Sequence, residues 1–272
     1  SVLAEKKGVC SGYANLFKKM AELAGFSCEA VGGYSRGTDL DIFTEGQEAA
    51  DNHAWNVVTI GGKKYFVDCT WDVGSVEQSG YVPKYSTGFL YIEPGDIIYS
   101  HFPADPVFQL LEKPLSREEF LNLPALKSEF FARGLSFEGS PERISTASDR
   151  AEFNVRVPEG ILLVAALYEH GGIELKNRAS VTRQPDGTAR VSVRFPRQGE
   201  FVLKLFVRRA DSPKKDYAWC ADLGYLASKG TAERFPSFFG VFADRACTLH
   251  SPLTSPIVPG SQVTFRITAP GA

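Results

Sequence analysis

The stretch that most restricts the fold is DNHAWNVVTIGGKKYFVDCTWD, residues 51–72. Two apolar runs flank Gly61-Gly62, the pattern of a two-residue hairpin turn whose central residues both need positive φ. With that turn Ile60 faces Lys63, and each opposed pair of residue numbers sums to 123. Trp55 then stands opposite Asp68, and His53 opposite Thr70. Side chains alternate along a strand, so His53, Trp55 and Asp68 share one face. His53 and Asp68 become diagonal neighbours, roughly 7–8 Å apart at the backbone, close enough for a carboxylate to reach an imidazole. A four-residue turn over 61–64 keeps this parity, whereas a three-residue loop separates the two faces. Asp72 has the same parity further along the strand and is a weaker substitute for Asp68.

A carboxylate on one ring nitrogen fixes the tautomer and leaves the other nitrogen free to take a proton from a nucleophile. The stretch KKGVCSGYANLFKKMAELAG, residues 6–25, offers one. Cys10 lies just ahead of a run in which Leu16, Phe17, Met20 and Leu23 recur at helical spacing, with Gly25 as the stop. A helix N-terminus and an adjacent imidazolium lower a thiol pKa from ~8.5 toward ~3.5–7.5. The backbone N–H of Cys10 is a candidate oxyanion donor. Gly8 and Gly12 leave room for a substrate chain. Alone, Cys10 reads as a buried filler and His53 as a satisfied hydrogen-bonding residue. Together with Asp68 they read as nucleophile, general base and orienting acid. Trp55, Trp71 and Tyr13 are the substrate-groove candidates, although packing is the default for each. Cys69 belongs on the opposite sheet face, buried and inert. His101, in HFP, reads as structural, and His170 and His250 as surface loop residues. Gly32-Gly33 has no phosphate-loop context.

The chain changes texture along its length. Residues 1–138 mix helix and strand. FSCEAVGGY reads as a strand, and Pro94-Gly95 marks a turn. Ser116 with Glu119 forms a capping box, and Pro124 interrupts the helical run that follows. SRGTDLDIFTEGQEAA, residues 35–50, is a polar loop, either a lid over the cleft or a disordered insert. ERISTASDR, residues 142–150, reads as a linker. Residues 145–272 are short alternating runs broken by turns such as Pro185-Asp186-Gly187. Val191, Val193 and Phe195, then Phe201, Leu203, Leu205 and Val207, fall on one face, as in an immunoglobulin-like sandwich.

Composition removes several function classes. Among 272 residues the net charge is −2, without a long basic run, which argues against a cationic nucleic-acid face. No apolar stretch reaches the ~18 residues of a membrane span. Five widely spaced cysteines without a CxxC pair argue against a structural zinc site and favour a reduced, cytoplasmic setting.

GVCSGYANLF, NHAWNVV and YFVDCTWD resemble the Cys, His and Asp blocks of the transglutaminase-like, papain-related superfamily, and most closely its kyphoscoliosis-peptidase branch. SHFPADPVFQLLEKPLSREEFLNLP resembles the segment after that core, and PRQGEFVLKLFVRR with DYAWCADLGYL the β-sandwich beyond it. The resemblance implies an α+β papain/transglutaminase-like catalytic core followed by an immunoglobulin-like β-sandwich. It implies a Cys10–His53–Asp68 triad acting on protein amide bonds by hydrolysis or acyl transfer, with no metal and no cofactor. The alternative it carries is a catalytically silent scaffold that binds cytoskeletal or other protein partners in the cytoplasm. Only nine residues precede Cys10, where the family has helical sequence. The chain therefore reads as a piece of a larger protein, with the second oxyanion donor unassigned.

Overall fold

The computed structural model describes residues 2–5, 7–37, 40–46, 50–77, 80–238, 242 and 247–269. The chain divides into two compact units, Ser1–Ser128 and Glu129–Ala272. The α+β expectation holds only loosely: 17% of the chain is helix and 40% strand. Among the described residues the one long helix of the first unit is Cys10–Leu23, and the regular elements of the second unit are strands apart from the short helix Ser128–Ala132 at its start.

The first unit is built on the Gly61-Gly62 hairpin. Strands β1 (Ser27–Ser35), β2 (His53–Ile60) and β3 (Lys63–Val67) lie side by side in a five-stranded sheet. Its edges are Leu90–Ile92 beside β3 and His101–Pro103 beside β1. The β2–β3 register runs Ile60↔Lys63, Thr59↔Lys64, Val58↔Tyr65, Val57↔Phe66 and Asn56↔Val67, as the two-residue turn demands. Gly61 and Gly62 take φ of 59° and 81°. The ladder stops at Val67, however. Asp68 caps a short helix, Cys69–Val73, so His53 never meets Thr70 and Asp72 lies on that helix rather than on a strand. Asp72 is occupied there, accepting from Ser86 Oγ at 2.6 Å and Phe89 N at 3.0 Å.

The sheet buries both faces. Val31, Trp55, Val57, Phe66 and Ile97 form one apolar layer. Ala21 of the Cys10 helix, Cys28, Val58 and Val67 form the other. The helix is locked to this second face by Asn56, whose side-chain amide donates to Ala14 O and Glu29 O. At the edge, a side chain on Gly33 would collide with Phe102 O and with the Trp55 ring. Glycine there lets the His101–Pro103 strand close against β1. Ser116 and Glu119 form the expected capping box at the start of Arg117–Asn122. Pro94, read as a turn, instead opens the short helix Pro94–Ile97.

In the second unit, two sheets enclose the predicted alternating face. Ile144–Ala147, Ala218–Ala227, Gly199–Arg209, Ile161–Glu169 and Glu174–Leu175 follow one another in the first, and Ala179–Arg183, Thr188–Arg194, Arg150–Arg156 and Ser136–Phe137 in the second. Phe195, Phe201, Leu203, Leu205 and Val191 are all 0% exposed. The segment read as a linker, 142–150, is not one: Ile144–Ala147 pairs in parallel with Gly224–Ala227. Its short polar stretch hid a sheet-edge strand, and the boundary falls earlier, at Ser128.

Space around a Cβ at Gly62 is empty, so an alanine there meets only the backbone penalty of positive φ. Gly62→Ala is expected to cost about 1–2 kcal/mol in urea unfolding. A cost near zero contradicts the turn assignment.

Candidate active site

Asp68 sits where β3 gives way to the Cys69–Val73 helix, and its carboxylate is 0% exposed. One oxygen, Oδ1, accepts from the backbone N–H groups of Thr70 at 2.8 Å and Trp71 at 3.1 Å. This is an N-cap arrangement, and it points the second oxygen back toward the sheet. Oδ2 lies 2.6 Å from His53 Nε2 and 3.1 Å from His101 Nε2. Thus the His53–Asp68 contact expected from hairpin parity is present. The second imidazole on the same oxygen was not expected.

Both histidines stand in an aromatic enclosure. The Trp71 ring centroid is 5.4 Å from that of His53 and 4.4 Å from that of His101. Trp55 lies 6.0 Å from His53 and meets His101 edge-on at 4.8 Å. Excluding water in this way strengthens each charge-assisted hydrogen bond. Burial alone would push Asp68 upward, but the hydrogen bonds from His101 and His53 outweigh it and hold the carboxyl well below its usual range. For His101, burial dominates and pushes its proton affinity down against the pull of Asp68.

Cys10 opens the 14-residue helix Cys10–Leu23 and is half-buried. Val9, the residue before it, provides no side-chain cap, and no acidic residue occupies the first turn. The positive end of the helix is therefore not neutralised locally. Cys10, His53, Trp71 and Tyr13 all line one cavity of about 1400 Å³ within the first unit. Trp55, offered with Trp71 and Tyr13 as a groove residue, is 1% exposed and belongs to the apolar layer beneath. Parity gave its face of the sheet but not its depth. Gly8 lines the cavity, and Gly12 does not. A side chain on either would strike Val2 at 2.8 Å, so close packing of the preceding segment accounts for glycine at both positions.

The described part of the 35–50 loop forms a wall of the cavity through Leu40, Thr44 and Glu45. It is pinned there: Arg36, 2% exposed, pairs with Glu45 at 2.9 Å and donates to the carbonyls of Tyr99, Phe120, Leu121 and Leu123. Tyr34 OH also donates to Glu45, at 2.9 Å. Residues 38–39 and 47–49 of that loop lie outside the described residues.

The remaining candidates separate from the site. Cys69 packs beside Cys28 and Val67 on the opposite sheet face, half-buried, and burial pushes its thiol up to about 11. Cys28 and Cys220 are likewise raised by burial. His170 and His250 are exposed in the second unit. His53, Asp68 and His101 bring three donor atoms within 4.8 Å of one another, the one such set among the described residues. Donors on a tetrahedral zinc shell stand roughly 3.3 Å apart, whereas the 2.6 Å His53–Asp68 separation is that of a direct hydrogen bond. Among the described residues no helix is long and apolar enough to cross a membrane.

Comparison with known proteins finds two families in the same order along the chain, the second match beginning eleven residues before the end of the first unit. Residues 1–71 match the transglutaminase-like superfamily, and residues 117–224 match the KY-like, immunoglobulin-like domain. The chain is similar to kyphoscoliosis peptidase of Mus musculus and of Homo sapiens, 31% identical over 215 residues in each case. That match covers 76% of this chain and 31% of either relative, so the chain spans about a third of their length. It is also similar to Hillarin of Drosophila melanogaster, 30% identical over 46% of this chain and 17% of that protein. Cytokinesis protein 3 of Schizosaccharomyces pombe is 29% identical over 49% of this chain and 15% of its own length.

Asp68 stabilises the fold while ionised. A group whose folded proton affinity is depressed contributes above its unfolded value of ~3.9, and the contribution is lost as pH falls through the folded value. Wild-type melting temperature should therefore drop steeply below about pH 4. Asp68→Asn leaves the His101 N–H without an acceptor, costs about 1–3 kcal/mol at neutral pH and flattens the acid limb. Parallel acid limbs for the two proteins would contradict the buried, ionised carboxylate.

Proposed function

We propose that this chain, with its transglutaminase-like first unit and KY-like immunoglobulin-like domain, attacks protein amide bonds through Cys10, His53 and Asp68. The observation that carries the reading is the 2.6 Å His53 Nε2–Asp68 Oδ2 contact beside a cavity lined by both His53 and Cys10. With Asp68 holding Nε2, Nδ1 is the nitrogen left to take the thiol proton. The Cys10 thiolate adds to the amide carbonyl carbon, and the first-turn N–H of Cys10 serves the developing oxyanion. His53 Nδ1 then gives its proton to the departing amine, the C–N bond breaks, and a thioester remains on Cys10. Water deprotonated by His53 releases an acid, which is peptidase chemistry. An amine in place of water releases a new amide, which is acyl transfer.

The second reading is a silent scaffold that uses the same surfaces to hold a protein partner. The name of cytokinesis protein 3 supports a cytoskeletal setting for either reading. The cavity favours the enzyme, because Tyr34 and the Leu40–Gly46 segment wall it without filling it.

Iodoacetamide alkylation against pH, mapped by mass spectrometry, separates the two. Cys10 should react at about pH 6 at least ~10-fold faster than Cys28, Cys69 and Cys220, and His53→Ala should abolish the difference. Equal rates at all four thiols, or indifference to His53→Ala, would remove the catalytic reading in favour of the scaffold.

A further inference from the structure

We infer that His101 is a positioning residue of the proposed triad: its Nε2–H fixes Asp68 Oδ2 and limits how tightly that oxygen binds the His53 imidazolium. The consequence for turnover rests on the reading above; the hydrogen-bond geometry does not.

His101 is wholly buried, and both its ring nitrogens are engaged. Nε2 lies 3.1 Å from Asp68 Oδ2, and Nδ1 lies 2.8 Å from Ser100 Oγ. An ionised carboxylate can only accept, so Nε2 carries the hydrogen. Nδ1 is then the acceptor, and the Ser100 hydroxyl donates to it in preference to the longer 3.2 Å contact with Ile97 O. The result is one directed chain: Ser100 O–H to His101, His101 N–H to Asp68, and His53 N–H to the same Asp68 oxygen. The titratable groups in contact with His101 are Asp68 and His53. Trp55, Trp71 and Phe89 make up the rest of its aromatic surround.

A neutral donor on Oδ2 has two effects. It fixes the carboxylate in the place where the Oδ1 cap has aimed it, so the imidazole of His53 meets an acceptor that cannot rotate away. It also puts the positive end of a dipole beside the oxygen that His53 uses, which weakens that oxygen as a partner for an imidazolium. A base that must return its proton to a leaving amine benefits from such a limit. The edge strand carrying His101 reaches Asp68 because Gly33 admits it.

Imidazole 15N NMR of the uniformly labelled chain tests the inference without requiring activity. In the wild type, His101 should stay neutral with its proton on Nε2 from about pH 5 to 8. His101→Phe keeps the ring and removes the donor; His101→Gln keeps an N–H near the Nε2 position. In His101→Phe the His53 titration should move up by about half to one pH unit, and in His101→Gln by less than ~0.3. A proton on Nδ1 of His101, protonation of His101 in that range, or equal His53 titrations in the two variants overturns the inference. Should His101→Phe fail to fold, the wild-type tautomer and the His101→Gln titration still decide. Loss of the His53 dependence of Cys10 alkylation would instead remove the catalytic reading, and leaves the NMR result to judge His101 separately.

Discussion

The carboxylate of Asp68 is the group on which the first unit turns. It accepts four hydrogen bonds while fully buried: two from the backbone of the helix it caps and two from histidines on separate strands. An ionised carboxylate without partners would be strongly disfavoured in that setting. Its four donors hold the charge and come from three elements: the Cys69–Val73 helix, β2 and the edge strand at His101. The end of β3, the Cys69–Val73 helix, the start of β2 and the edge strand at His101 meet at this one side chain.

The same four bonds give the site its direction. The cap takes one oxygen and leaves the other facing the sheet, where His53 and His101 share it. Their aromatic neighbours exclude water and keep the contacts short. Cys10 comes to the same cavity from the other side of the chain's logic, at the uncapped start of a helix docked through Asn56. Burial raises the thiols of Cys28 and Cys69. Cys10 differs from them by lying at the cavity, at the start of the helix whose later residues pack over Cys28.

Much of this is legible in the sequence alone. The Gly61-Gly62 turn fixed the register, and the register put His53 and Asp68 on one face, because strand parity depends only on the count of residues. The capping box at Ser116 and the alternating core of the second unit followed from equally local rules. What failed needed long-range contacts. His101 lies 33 residues beyond Asp68 and joins it only through pairing of a three-residue edge strand with β1. HFP itself carries no periodicity that announces such a contact. Trp55 had the right parity but the wrong depth, Asp72 left the strand at a helix cap, and the apparent linker at 142–150 paired with a strand some eighty residues away.

The central claim is that a thioester forms on Cys10 with the help of a buried Asp68–His53 pair. Incubation with p-nitrophenyl acetate, followed by intact-mass and peptide mapping, tests it most directly. The account predicts a rapid single acetylation confined to Cys10, absent in Cys10→Ala and slowed ~10-fold or more in Asp68→Asn. Acetyl groups spread over several residues, or a Cys10 rate untouched by Asp68→Asn, would contradict it.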